Sequence, residues 1–181
     1  GYASAAFVLP TRAGVARVVV EAGGVSGSPA TFTLRANAGV AQRLQPVSGG
    51  NQTTTAGEPF GGAYTVRVTD GYSNGVAGVA VAFESVSGGG SVSEAVVVSG
   101  ADGLAQTQLI AGGVGAQRYR ASVTGLVGSP LEVTNQAVAV NPALTLELVS
   151  GQDQQAIAGS DLPQPFIVRL LRDGLPAAQH A

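Results

Sequence analysis

The stretch Tyr64-Thr65-Val66-Arg67-Val68-Thr69-Asp70-Gly71 alternates apolar residues with polar ones and then ends in a turn signal. Successive side chains of a β-strand point to opposite faces. The alternation therefore predicts a strand that buries Tyr64, Val66 and Val68 and leaves the intervening Thr and Arg side chains in solvent. The Asp-Gly pair that follows is typical of a tight turn, so we expect the strand to end beside it.

Residues 79–84, 118–124 and 131–134 show the same alternation, and Gly-, Asn- and Asp-rich turn sequences separate them. Apolar residues at helical spacing are not sustained anywhere in the chain. About seven short strands per ~100 residues predict an all-β protein built from immunoglobulin-like Greek-key β-sandwiches, with essentially no helix. The expected core of the central sandwich consists of the inward-facing apolar residues Tyr64, Val66, Val81, Phe83, Leu109, Tyr119, Val123 and Val133.

The sequence also repeats itself at a fixed distance. Val47-Ser48-Gly49 recurs as Val149-Ser150-Gly151, and Ala56-Gly57 recurs as Ala158-Gly159, both 102 positions later. Gly27-Ser28-Pro29 recurs 101 positions later as Gly128-Ser129-Pro130. Matches that keep nearly one offset over several segments predict a tandem array with a unit of about 102 residues.

This register divides the chain into three parts. Residues 1–38 are expected to form the C-terminal part of one immunoglobulin-like repeat, 39–139 a complete repeat, and 140–181 the N-terminal part of a further repeat. The junction sequences 35–38 and 136–139 are not rich in Gly or Pro. Short connecting sequences of this composition favour a semi-rigid rod over domains on flexible linkers.

Composition excludes several kinds of chemistry. The chain has no Cys, and all nine basic residues are Arg, so it has no thiolate nucleophile, no disulfide and no catalytic or crosslinking Lys. The sole His is His180, which leaves little material for a His-dependent triad. Glu84 and Glu94 are the best candidates for a pair of catalytic carboxylates, but both are expected on solvated strand faces. We therefore predict a non-catalytic protein without a cofactor.

Only 11% of the residues are charged and 45% are apolar, yet no apolar run is long enough for a membrane span. The net charge of −2 gives no reason to expect nucleic acid as a partner. A Lys-free and Cys-free β-protein rich in Thr, Ser, Gly and Val favours an extracellular or bacterial cell-surface location.

The residues of the central repeat resemble the bacterial Ig-like domain of group 1, the tandem module of invasin- and intimin-type adhesins. The resemblance covers the whole central repeat and rests on turn and core residues, which specify a fold but not a ligand. The matching segments are Ala56-Gly57, Tyr64-Thr65-Val66-Arg67-Val68-Thr69-Asp70, Gly75-Val76-Ala77-Gly78-Val79-Ala80-Val81-Ala82-Phe83, Asp102-Gly103-Leu104-Ala105 and Gly128-Ser129-Pro130. The last part departs from the pattern, because no strand sequence follows Leu175-Pro176.

Five polar positions and one aromatic one are candidate site residues. Asp70, Asn74 and Asp102 offer oxygen ligands for calcium, although Asp and Asn before Gly are also what tight turns select. Arg118 and Arg120 lie on one predicted strand face, with Arg67 possible on a neighbouring strand, and could bind an anion. Cross-strand pairing with Glu132 is the alternative. Most aromatic residues are expected to point inward, and Tyr72 is the one expected at an exposed tip.

Two functional hypotheses remain. The first is a structural segment of a bacterial cell-surface or extracellular filament or adhesin, which acts as a semi-rigid spacer and assembly module. The second is a ligand-binding module for carbohydrate or a host receptor. The expected partners are neighbouring Ig-like repeats, copies of the chain in a filament, or a cell-surface ligand. The parts 1–38 and 140–181 could complement one another between copies, or they could belong to a longer polypeptide.

Overall fold

A computed structural model describes residues 1–141 and 144–176, and it is all-β throughout that part of the chain. His180 and the end of the last part, 177–181, lie outside the described residues. The chain divides into two compact units, Gly1–Ala139 and the residues from Val140 onward. The strands are β1 Gly14–Val20, β2 Ala30–Ala36, β3 Arg43–Ser48, β4 Thr53–Thr55, β5 Tyr64–Thr69, β6 Ala80–Ser87, β7 Ser91–Val92, β8 Val96–Val98, β9 Leu104–Thr107, β10 Leu109–Ile110, β11 Gly115–Ser122, β12 Leu131–Val138, β13 Leu144–Ser150, β14 Ile167–Arg172 and β15 Leu175–Pro176.

The central part of the first unit is a two-sheet sandwich. One sheet has the strand order β3-β5-β9, and the other has the order β4-β12-β11-β6-β8. The pairs are antiparallel except that β4 runs parallel to β12. This division of strands between two sheets is the immunoglobulin-like arrangement. The predicted all-β sandwich class is therefore confirmed.

The core lies between the two sheets and joins side chains from both. Tyr64 of β5 packs edge-on against Phe83 of β6, with ring centroids 5.5 Å apart. Phe60 meets Tyr119 of β11 in the same way at 6.0 Å. Of the eight predicted core residues, six are buried, and Val123 and Val133 are partly buried against them.

Two details of the sequence-based picture are corrected. Residues 39–139, all of which the structure describes, contain ten strands rather than about seven, because very short strands such as β7 and β10 add to the longer ones. Thr65 and Thr69 were expected in solvent but are buried. Thr65 Oγ1 meets Oε1 of Gln106 on β9, and Thr69 pairs with Gly75 in the next turn, and alternation alone reveals neither contact.

The described residues form three further β-structures. In the first unit, β7 pairs antiparallel with β10, and β1 and β2 form an antiparallel hairpin. In the second unit, β13, β14 and β15 form an antiparallel sheet. No helix long and apolar enough to cross a membrane occurs among the described residues.

The same local contacts occur at the spacing seen in the sequence. Gln52 donates from Nε2 to Gly49 O and Gly62 O, and Gln154 donates in the same way to Gly151 O and Gln164 O, all at 2.9–3.0 Å. The strand pairing has the same register too, since Leu44 faces Val68 and Leu146 faces Leu170. A register shift follows in both pairs, at Pro46/Ser48 and at Leu148/Ser150, so the sequence repeat is accompanied by the same pattern of strand pairing.

Candidate functional site

The turn after β5 is held by the carboxylate of Asp70. Oδ1 of Asp70 accepts the backbone N–H groups of Tyr72 and Asn74, each at 2.9 Å. Oδ2 accepts the side-chain amide of Asn74 at 2.9 Å. An Asp side chain that binds the backbone N–H two residues later is a common turn device, and it explains why the strand ends here.

The same two side chains tie this turn to the segments on either side of the β1–β2 hairpin. Oδ2 of Asp70 also accepts the N–H of Gly39, which follows β2, at 2.8 Å. Oδ1 of Asn74 accepts the N–H of Ala13 and its Nδ2 donates to Thr11 O, both at 2.8 Å, immediately before β1. We call Asp70, Asn74 and these three backbone partners the joint.

Hydrogen bonding lowers the pKa of the Asp70 carboxyl to about 2. The amide of Asn74 contributes most, followed by the N–H of Gly39 and then the N–H groups of Asn74 and Tyr72. Burial opposes this shift and is outweighed. The charged form that the joint requires is therefore maintained well below the ordinary pKa range of aspartate.

The structure brings two of the three calcium candidates into contact. Asp70 and Asn74 are hydrogen-bonded, but the four N–H donors on Asp70 occupy the acceptor sites that a cation would need. Asp102 accepts the N–H of Leu104 at 3.0 Å within its own turn. Among the described residues, no group of three or more His, Asp or Glu side chains is placed to hold a metal ion.

An open cleft of about 530 Å³ lies beside the joint. Tyr72 lines it with Arg12, Arg67, Asn74 and Asp102, and the Tyr72 side chain is 70% exposed. Nε of Arg67 donates to Asp102 O at 2.9 Å, which fixes one wall. The cleft thus has cationic, anionic and aromatic groups within one polar surface.

Arg118 and Arg120 lie on the outer face of the five-stranded sheet, and Glu132 on the neighbouring strand pairs with both. Arg120 also pairs with Glu84 of β6 at 3.0 Å. The predicted cross-strand pairing with Glu132 is therefore confirmed. The expectation that Arg67 lies near these residues is wrong, because β5 belongs to the other sheet.

These ion pairs shift the pKa values of Glu132 and Arg120 in the direction that pairing requires. Hydrogen bonds from Arg120 and then Arg118 lower the pKa of Glu132, and Glu132 in turn raises the pKa of Arg120. Both arginines already have carboxylate partners, so this face attracts an external anion less strongly than two unpaired guanidinium groups would.

Sequence reasoning missed two features of the described residues. Tyr72 is exposed as predicted, but the expectation that the other aromatic residues mostly point inward is wrong, because Tyr2, Phe7, Phe32 and Phe166 are exposed as well. The joint was also missed, since its partners at Thr11, Ala13 and Gly39 contribute only backbone atoms. Such partners leave no residue-type signal, and Asp70 and Asn74 alone indicate nothing more than a turn.

Comparisons with known proteins yield structural similarities only. No protein-family model and no curated protein matches the chain. Similar solved structures include the Escherichia coli adhesin FdeC, with 17% identity and a TM-score of 0.47 over 68% of this chain and 42% of that one. The D00-D0 domain of intimin matches with 20% identity and a TM-score of 0.45, over 68% of this chain and 64% of that one. Domains 4 and 5 of the S-layer protein SbsC match with 18% identity and a TM-score of 0.44, over 70% of this chain and 66% of that one.

Proposed function

We propose that this chain is a non-catalytic segment of a bacterial cell-surface or extracellular filament or adhesin, in which tandem Ig-like modules act as a semi-rigid spacer. Its partners would be neighbouring modules or copies of itself. A Cys-free and Lys-free β-sandwich with 11% charged residues supports a place outside the cell. Contacts that recur at offsets of 101 and 102 residues support a tandem organisation.

The observation that carries the proposal is the joint. A spacer transmits position only if successive modules keep a fixed relative orientation, and a simple peptide linker would not provide this. Here two side chains of the central sandwich bind backbone groups both before β1 and after β2. Fixing the hairpin at both ends restricts its rotation more than one contact would.

Spin labels can test this stiffness directly, since the chain has no native Cys to remove. Nitroxides at Thr33→Cys on the hairpin and Glu94→Cys on the sandwich occupy two exposed positions. Pulsed dipolar spectroscopy should then report a narrow distance distribution. Asp70→Ala and Asn74→Ala should broaden it, because each removes a hydrogen bond that crosses the joint.

Asp102→Ala is the matched control, because Asp102 caps a turn of the sandwich through Leu104 and takes no part in the joint. It should leave the distribution narrow. Far-UV circular dichroism of each variant checks that the sandwich stays folded. A wild-type distribution as broad as that of the Asp70→Ala variant would refute the spacer proposal.

Acid provides a second test of the same joint. The pKa of Asp70 is lower in the folded protein than its ordinary value near 4, so its contribution is present above that ordinary value and is lost as the pH falls through about 2. The distance distribution should therefore stay narrow at pH 3 and broaden below about pH 2. Broadening that is complete by pH 4 would show that Asp70 does not hold the joint.

A further inference from the structure

The β1–β2 hairpin has one apolar face that is only partly covered. Val18 of β1 and Phe32 and Leu34 of β2 lie on it, and Phe32 is 57% exposed. Together with residues 3–7, this face lines a mainly apolar pocket of about 530 Å³. An exposed apolar face of a hairpin marks a place where another sheet can pack.

The central sandwich shows what packs on such a face. At the offset of 101, Val18, Phe32 and Leu34 correspond to Tyr119, Val133 and Asn135 of the β11–β12 hairpin. Tyr119 is fully buried there in one core cluster with Tyr64, Val66 and Val68 of β5. The hairpin face is therefore complementary to a sheet built like β3–β5.

The second unit contains such a sheet. At the offset of 102, Phe166, Val168 and Leu170 correspond to Tyr64, Val66 and Val68, and the β13–β14 register equals that of β3–β5. All three side chains are substantially exposed. They present the apolar surface that the hairpin face would need.

We propose that the apolar face of the β1–β2 hairpin binds the β13–β14 sheet of a second copy of this chain. The contact joins two different surfaces, so it links copies head to tail and leaves one free surface at each end of the complex. The central sandwich predicts the register, with Phe32 beside Gln152 because Val133 lies beside Gly50. This inference goes beyond the spacer role and does not depend on it.

The contact should be weaker than the core that serves as its template. In the central sandwich, the Tyr64 hydroxyl donates to Leu131 O at 3.0 Å and the Asn135 amide donates to Gly49 O at 2.8 Å, and both bonds join the two sheets. The corresponding residues are Phe166 and Leu34, which cannot donate. We therefore expect association driven by apolar burial, without these two directional bonds.

Disulfide trapping tests the proposed register. A Cβ atom built on Gly50 lies 3.5 Å from Cβ of Val133, a separation that a disulfide can bridge. The experiment mixes a Phe32→Cys chain and a Gln152→Cys chain that carry tags of different length, under mild oxidation. Mixed dimers should exceed either homodimer by about tenfold, since disulfides demand close and correctly directed Cβ atoms.

Thr33→Cys replaces Phe32→Cys in the control mixture, because Thr33 lies on the opposite face of β2. It should give no excess of mixed dimers. A random yield from Phe32→Cys and Gln152→Cys, or equal trapping by Thr33→Cys, would overturn the proposal.

Sedimentation velocity of the unmodified chain gives an independent test that no substitution can disturb. The average mass should rise with concentration, and a monomer at every concentration would overturn the proposal. A Phe32→Cys, Gln152→Cys double variant should give disulfide-linked dimers and longer ladders. A product linked only within single chains would show that the second copy is not the partner.

Discussion

The two hairpins of the first unit, β1–β2 and β11–β12, have the same local structure in very different surroundings. Gly14 faces Ala36 in one, and Gly115 faces Ala137 in the other. Their turns are closed by the same bond, from Ala22 N to Ser28 Oγ and from Val123 N to Ser129 Oγ, each at 2.9 Å. Turn chemistry and strand pairing therefore specify this hairpin whether or not a sheet covers it.

Burial separates the two hairpins. The inward face of β11–β12 carries Tyr119, which is 0% exposed, whereas Phe32 on the corresponding face of β1–β2 is 57% exposed. Local hydrogen bonds are similar in both, so the difference in stability should come from the apolar area that each hairpin removes from water. Substitutions at matched positions can measure that difference.

The largest effect is expected from truncating the matched inward residues. Tyr119→Ala should lower the free energy of unfolding of the sandwich by about 3–5 kcal/mol, because it empties a packed core position next to Phe60. Val18→Ala, at the equivalent position, should cost about 1 kcal/mol or less, because Val18 is only half-buried. Urea unfolding at micromolar concentration measures both, and equal losses would contradict the comparison.

A smaller effect is expected from a matched pair of turn glycines. Gly27 and Gly128 have φ values of +90° and +85°. A Cβ on Gly128 would lie 2.6 Å from Leu44 O, whereas a Cβ on Gly27 would meet open space. Both Ala variants incur backbone strain of about 1–2 kcal/mol in their own hairpin. Gly128→Ala should lower the free energy of unfolding of the sandwich by about 1–3 kcal/mol more than this strain does, since β3 or the turn must move to make room for the Cβ atom.

Thermal unfolding of the sandwich checks this pair. Gly128→Ala should lower its midpoint clearly, and Gly27→Ala should leave it nearly unchanged. If Gly27→Ala lowered the midpoint as much as Gly128→Ala does, the hairpin β1–β2 would have to be part of the cooperative unit of the sandwich.

Much of the fold could be predicted from sequence because its determinants are local. The alternation in 64–69 predicts a strand, and the Asp70-Gly71 pair predicts its end; the structure has both, although burial along the strand does not alternate. Thr69 is expected in solvent but is buried, and it pairs with Gly75 in the turn that follows β5, a contact that alternation does not show. Alternation identifies the two faces of a strand but not what covers the second one.

The candidate site was less predictable. Asp70 and Asn74 were recognised as turn residues or oxygen ligands, but their connection to Ala13 and Gly39 depends on how the chain returns to this turn. Backbone N–H groups occur at almost every residue, so sequence does not mark those that matter. Pairing of Arg118 and Arg120 with Glu132 was predictable, because the neighbouring strand places Glu132 directly opposite Arg120 and diagonally from Arg118.

The smallest effect on stability is expected from the ion pairs of Glu132 with Arg118 and Arg120. The β1–β2 hairpin lacks them, because the corresponding positions 31, 17 and 19 hold Thr, Arg and Val. Glu132→Gln should lower the midpoint of the sandwich by less than Gly128→Ala does, because the paired side chains are partly exposed at the surface and water screens them. The difference from wild type should shrink in high salt. It should also shrink in acid: the pKa of Glu132 is lowered by folding, so its contribution is present above the ordinary glutamate pKa and is lost as the pH falls through the lower folded value. If the stability difference between Glu132→Gln and wild type persisted in strong acid, Glu132 would stabilise β11–β12 through packing. Packing would then distinguish the two hairpins on their outer faces as well as on their inner faces.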